Sequence, residues 1–156
     1  MLSKLKKKLL GKLPESQPEQ KPQEVNHPTP ELTPYDLIGR EAGTRHLANT
    51  FYDIMETAPE AKELLAIHPQ PMESIRQRFF EYLSGWLGGP PLFEKQYGHP
   101  RLRARHLPYK VTPEMRDQWM FCMNRALDTT VDNKQLREGL RQSLQQLATH
   151  MINRPS

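Results

Sequence analysis

From residue 33 onward, apolar side chains recur at helical spacing and almost nowhere in the alternation of a strand. Leu47, Phe51, Ile54 and Met55 share one face of a segment from about Thr44 to Glu56. Ile75, Phe79, Tyr82, Leu83, Trp86 and Leu87 form the clearest stripe in the chain. Met115, Trp119, Cys122, Met123 and Ala126 form another, opened by Thr112-Pro113-Glu114. Leu136, Leu140, Leu144, Leu147 and Met151 form the last, on a helix expected from about Asp132 to Asn153. Thr33-Pro34-Tyr35-Asp36 reads as an N-cap, a proline at the first helical position and an acid at the third. There is no strand or hairpin signal and no internal repeat, so the pattern predicts an all-α domain, with two long antiparallel helix pairs a reasonable arrangement.

The breaks between stripes are equally legible. Gly39 and Gly43 are expected to break or bend the chain. Pro59 opens a short helix, Glu60 to Ile67, which His68-Pro69-Gln70-Pro71 ends. Gly88-Gly89-Pro90-Pro91 stops the Ile75–Leu87 stripe, and residues 88–105 are expected to be mostly irregular. A connection of that length inside a compact domain is unusual unless it is functional.

Residues 1–32 read differently. Leu2, Leu5, Leu9 and Leu13 recur at helical spacing among Lys4, Lys6, Lys7, Lys8 and Lys12. Such a tail suits peripheral contact with an anionic membrane surface, the alternative being a solubilising segment too short to hold a helix in water. Residues 14–32 are rich in Pro, Glu and Gln, a composition that predicts a disordered linker. The domain expected is therefore 33–156. The formal charge is +4, and setting aside the five lysines of the tail leaves the rest at −1. A near-neutral domain argues against nucleic acid as a partner. One cysteine, Cys122, allows no intrachain disulfide, and no apolar run is long enough to span a bilayer; both fit a cytoplasmic protein.

The chemistry gathers between Trp86 and Trp119. Tyr97-Gly98-His99-Pro100-Arg101-Leu102-Arg103-Ala104-Arg105-His106 sets a histidine beside three arginines, with no carboxylate from Gly98 to Lys110. A neutral imidazole ligates metals, and guanidinium groups hold carboxylates in bidentate geometry. Haem carries both a metal and carboxylates, and its iron is commonly held by one proximal His. Spacing alone leaves His106 open between ligand and surface residue, because one ligand defines no metal site. The absence of a second His one turn away, or of a Cys pair, argues against structural zinc. Arg101, Arg103 and Arg105 alternate, so in an extended loop they would share a face, the plain alternative being a solvated loop. Tyr52 and Trp119 lie on stripes where aromatics ordinarily make core, yet each carries a donor that wants a partner when buried. His68 is a third polar group near an apolar face.

Taken in order, Phe51-Tyr52, His68, the Phe79 stripe, Trp86-Leu87-Gly88-Gly89-Pro90, the Gly98–His106 run and Trp119 resemble the group II truncated haemoglobins, small two-over-two helical globins. The resemblance covers roughly Thr33 to Met151. It implies a two-over-two helical sandwich around haem b, with the N-terminal extension outside it. His106 matches the proximal iron ligand. Tyr52 and Trp119 match distal ligand-stabilising residues, and His68 matches a corner position that is Tyr or His in relatives. Phe79 matches an apolar distal residue, and Tyr82 an aromatic on the haem edge. Arg105 is the arginine set beside the proximal ligand and is expected to pair with a propionate. Phe51, Leu83, Phe93, Tyr109 and Met123 are expected to line the pocket. Ile75 departs from the pattern, being bulky where relatives are often small or polar, and would narrow that access route for ligand.

The function this implies is binding of dioxygen and other small diatomic ligands at a polar distal pocket, in a monomer or homodimer. Slow release would favour chemistry on the ligand, such as nitric oxide or peroxide detoxification, or sensing, over bulk transport. Whether the chain is an enzyme is left open. The alternative is a non-haem helical interaction module that uses the Arg-rich 98–106 loop to hold an acidic partner.

Overall fold

The computed structural model describes residues 31–155. The tail at 1–13 and nearly all of the linker expected at 14–32 lie outside the described residues. Helix α1 (Pro34–Leu37) begins at the capping box read from the sequence. The Thr33 hydroxyl accepts from the Asp36 N–H at 3.2 Å, and the Asp36 carboxylate accepts from the Thr33 N–H at 3.1 Å. Pro34 has no N–H, so two of the three orphan donors of the helix start are thereby satisfied.

Helix α2 (Arg40–Thr57) starts four residues earlier than expected, directly after the turn at Gly39. Gly43 therefore lies inside the helix and does not break it. Its role is close approach: a Cβ at this position would sit 1.7 Å from the Ile38 carbonyl oxygen. Only glycine lets the end of α1 pass so near the first turn of α2. A 3-10 turn (Pro59–Ala61) and α3 (Lys62–Ala66) then lead to α4 (Glu73–Trp86).

The expectation for residues 88–105 is corrected. The segment holds α5 (Leu92–Tyr97) and most of α6 (Leu102–His106). At six and five residues they are too short to show a hydrophobic period. Gly98, at φ 78°, ends α5, and Arg101, at φ 44°, precedes α6. The positive φ values at both positions turn the chain sharply between two helices that would otherwise clash or merge. Because Arg103 and Arg105 are helical, the three arginines do not share a face.

Helix α7 (Pro113–Thr130) has Thr112 as its cap, whose hydroxyl accepts from the Met115 N–H at 3.2 Å. Helix α8 (Lys134–His150) has Asn133 as its cap, accepting from the Leu136 N–H at 3.0 Å. It ends three residues short of the expected Asn153, because that residue folds back. The Asn153 side-chain amide donates to the carbonyls of His106 (3.1 Å) and Tyr109 (3.0 Å), and its oxygen accepts from the Val111 N–H (3.0 Å). The loop after α6 is thus closed by the segment that follows α8.

Helix α2 is the centre of the packing. It lies on α7 and α4, and α7 in turn lies on α8. Leu47, Phe51, Met55, Leu83, Met123, Leu127 and Leu144 are fully buried where these faces meet. Each contributes about 1.5–3 kcal/mol relative to exposure. Among the described residues the fold is all-α, with no strand, and no helix is long and apolar enough to cross a membrane.

Candidate functional site

One end of the core is built from polar aromatics, not aliphatics. Tyr52, on α2, is buried, with its ring 4.9 Å from Phe51, 5.7 Å from Phe79 and 6.1 Å from His68, centroid to centroid. Trp119, on α7, reaches the same group from the other side, 5.0 Å from Phe51 and 6.2 Å from Phe79. Phe51 stacks on Phe79 at 5.1 Å. Five residues singled out in the sequence therefore form one contiguous cluster, drawn from α2, the end of α3, α4 and α7.

The cluster's polar atoms are left over from the fold. Among the described residues neither the Tyr52 hydroxyl nor the Trp119 indole N–H has a hydrogen-bond partner. Neither atom is fully enclosed, so each remains reachable by a ligand. Burial pushes the Tyr52 hydroxyl well above the ordinary tyrosine range, with the Arg76 charge pulling weakly the other way. His68 donates from Nδ1 to the Leu64 carbonyl at 2.7 Å, which leaves Nε2 free. Burial lowers its pKa, the Leu64 bond opposes this, and the charge of His106 lowers it further. At neutral pH the His68 imidazole is therefore uncharged.

His106 is the last residue of α6 and is half-buried. Its Nδ1 donates to the Leu102 carbonyl at 2.6 Å. A carbonyl can only accept, so this bond places the ring hydrogen on Nδ1 and leaves the Nε2 lone pair available as a ligand. Among the described residues there is no cluster of three or more His, Cys, Asp or Glu placed to hold a metal ion. His106 thus suits a group that brings its own remaining ligands.

The other expected lining residues fall into two sets. Leu83 and Met123 are fully buried beside Phe51 in the main core. Tyr82 and Phe93 meet edge to face at 6.2 Å, and the Arg105 guanidinium lies 5.0 Å from the Phe93 ring centre. Tyr82 and Phe93 line a cleft of about 550 Å³, together with Trp86, Leu102, Arg103 and Leu147. Neither His106 nor any of the five residues of the aromatic cluster lines it. Tyr109 is 47% exposed at the outer end of the same region and is packed against none of these side chains in the core. Ile75 is half-buried against the core. Arg103 donates to the His150 carbonyl at 2.9 Å on the wall of the same cleft.

Sequence reasoning missed Asn153, Arg76 and Leu102. The first ties down the loop that follows His106, the second bridges α4 to the Tyr52 flank of α2, and the third orients the imidazole. None carries a local signal, since each acts on residues from another turn or another element.

A family profile described as bacterial-like globin matches residues 33–153. The chain is 38% identical over 120 residues to a group 2 truncated hemoglobin of Bacillus subtilis, covering 77% of this chain and 88% of that one. Among solved structures it is similar to a cold-adapted truncated hemoglobin from the Antarctic marine bacterium Pseudoalteromonas haloplanktis TAC125. The two share 58% identity and a TM-score of 0.78 over 79% of this chain and 99% of that one. A group II 2-on-2 hemoglobin from the plant pathogen Agrobacterium tumefaciens is 41% identical with a TM-score of 0.78, over 81% and 98% of the two chains.

Proposed function

The chain belongs to the bacterial-like globin family, among the group II truncated haemoglobins, and from that premise we propose that it binds dioxygen and other small diatomic ligands at haem b held by His106. The observation that carries the reading is the combination of a ready nitrogen with orphan donors. The His106 tautomer is pinned with Nε2 free, while the Tyr52 hydroxyl and Trp119 indole N–H, in the aromatic cluster with Phe51 and Phe79, make no protein hydrogen bond among the described residues.

Haem, when bound, supplies the iron to which a diatomic ligand attaches. The remaining work belongs to this chain. Leu102 orients the His106 ring, and Arg105, one residue before it, offers a planar donor fork for a propionate. Phe51, Phe79, Leu83 and Met123 exclude water from the distal side, and Tyr82 and Phe93 supply flat apolar walls. Tyr52 and Trp119 present hydrogen-bond donors to a polarised ligand, much as an oxyanion hole does, while neutral His68, its one N–H given to Leu64, offers an acceptor at Nε2. Hydrogen bonds to charged groups contribute about 1.5–3 kcal/mol each, so two of them slow ligand release by roughly two to four orders of magnitude. Slow release suits nitric oxide or peroxide detoxification, or sensing, better than bulk transport. The single buried cysteine fits the cytoplasm.

The first test is the visible absorption spectrum of haem-supplemented protein beside His106→Ala. A sharp Soret band in the parent, lost or shifted in the variant, is expected; no haem uptake by the parent would sink the reading. The second is the dioxygen release rate. Tyr52→Phe and Trp119→Phe are each expected to speed it, and parental rates in both would dismiss the donor cage.

A further inference from the structure

We infer that Arg76 is a positioning residue for the Tyr52 hydroxyl, holding the distal donor in place from the outside of the pocket. This rests on the reading of Tyr52 as a ligand-facing donor. Arg76 lies on α4, yet every polar partner it has is on α2. Its Nη1 donates to the Asn49 carbonyl at 3.0 Å, and its Nη2 lies 2.8 Å from Asp53 and 3.4 Å from Glu56. Those three residues are three before, one after and four after Tyr52, so they frame its flank of the helix. The guanidinium passes over that flank, 5.8 Å from the Tyr52 ring centre and within cation–π range.

The arrangement needs an arginine. One carbonyl and two carboxylates at different heights require a planar fork with several donors, which an ammonium cannot provide. The Arg76 side chain is 18% exposed against 66% for Asp53, so the cation end of the bridge is the desolvated one.

Charge supplies a second effect. Outside Arg76 opens a cleft of about 540 Å³ lined by Asn49, Asp53, Glu56, Met72 and Glu73, in which Arg76 is the single cation among the described residues. A positive field beside a buried phenol favours the polarised O–H and opposes burial. Removing the cation leaves three carboxylates in the cleft and reverses that field. Arg76 therefore fixes both where the hydroxyl sits and how strongly it donates, without touching the ligand.

Two measurements on the full chain test this. Dioxygen release is followed in the haem-loaded parent, Arg76→Met, Arg76→Lys, Tyr52→Phe and the Arg76→Met/Tyr52→Phe double variant. Arg76→Met should release roughly 3- to 10-fold faster, the scale of one weakened hydrogen bond. Arg76→Lys, which keeps charge without the fork, should fall between. The double variant should match Tyr52→Phe. In parallel, fluorine NMR of haem-free protein labelled with 3-fluorotyrosine reports the Tyr52 ring directly, its resonance assigned by its loss in Tyr52→Phe. That line should shift or broaden in Arg76→Met. An unchanged line with parental release overturns the inference, and so does an equal acceleration by Arg76→Met with and without Tyr52. If Tyr52→Phe itself releases at the parental rate, the donor role of Tyr52 fails, while the fluorine spectrum still decides whether Arg76 positions the ring.

Discussion

At Tyr52, burial and a neighbouring charge act in opposite directions, and burial is the larger. The hydroxyl keeps its proton far above the ordinary tyrosine value of about 10. Dioxygen release should therefore be flat between pH 7 and about 10, and a step in that range that disappears in Tyr52→Phe would contradict the assignment. Stability should behave otherwise. Above pH about 10 the unfolded chain loses its phenolic protons first, so it binds fewer protons than the folded state and folding weakens as pH rises. Tyr82, also raised by burial, acts in the same direction. Urea midpoints at pH 9 and 11 should differ less in Tyr52→Phe than in the parent. Much of the site was legible at this scale, because Tyr52, His68, Trp119 and His106 are unusual residues on readable stripes or in a specific run. Arg76 was not, since an arginine on an exposed helical position reads as solvated until its partners, on another helix, are known.

Helix boundaries were legible wherever a side chain caps them. Thr33, Thr112 and Asn133 each accept a backbone N–H at the start of a helix. Where a boundary depends on an approach between elements, sequence gave the wrong sign. Gly43 looked like a breaker and is a contact point, because the Ile38 carbonyl occupies the space a side chain would need. Gly43→Ala should accordingly destabilise by at least about 2 kcal/mol, although alanine is the better helix former in isolation. A variant as stable as the parent in chemical denaturation would show that α1 can withdraw without loss. Helices α5 and α6 escaped notice for a different reason: neither completes two turns, and their orientation is set by backbone conformation at Gly98 and Arg101.

Across the molecule, the helical class followed from period and breaks and the two-over-two architecture from the resemblance to a family, in which the comparisons place the chain over residues 33–153. What period could not show is how the two sides of the site are anchored. The distal side is held from within, by aromatic packing between α2, α4 and α7. The proximal side has little core of its own: α6 contributes no buried residue, and Leu107 just beyond it is 54% exposed. Its rigidity comes from Asn153. Asn153→Ala should leave the helical content nearly unchanged and speed haem loss to an acceptor protein several-fold, about the effect of one to two lost hydrogen bonds. Parental haem retention would assign the loop's order to something else.

That anchoring imposes a timetable on synthesis. Residues 33–130 can emerge from a ribosome and bury the distal aromatics among themselves, but the turn after His106 cannot close until residue 153 has also left the exit tunnel. His106, the proposed iron ligand, is thus among the last groups of the domain to be fixed. Haem that arrives while the chain is still growing meets a half-made receptor, and stable capture waits for the finished polypeptide.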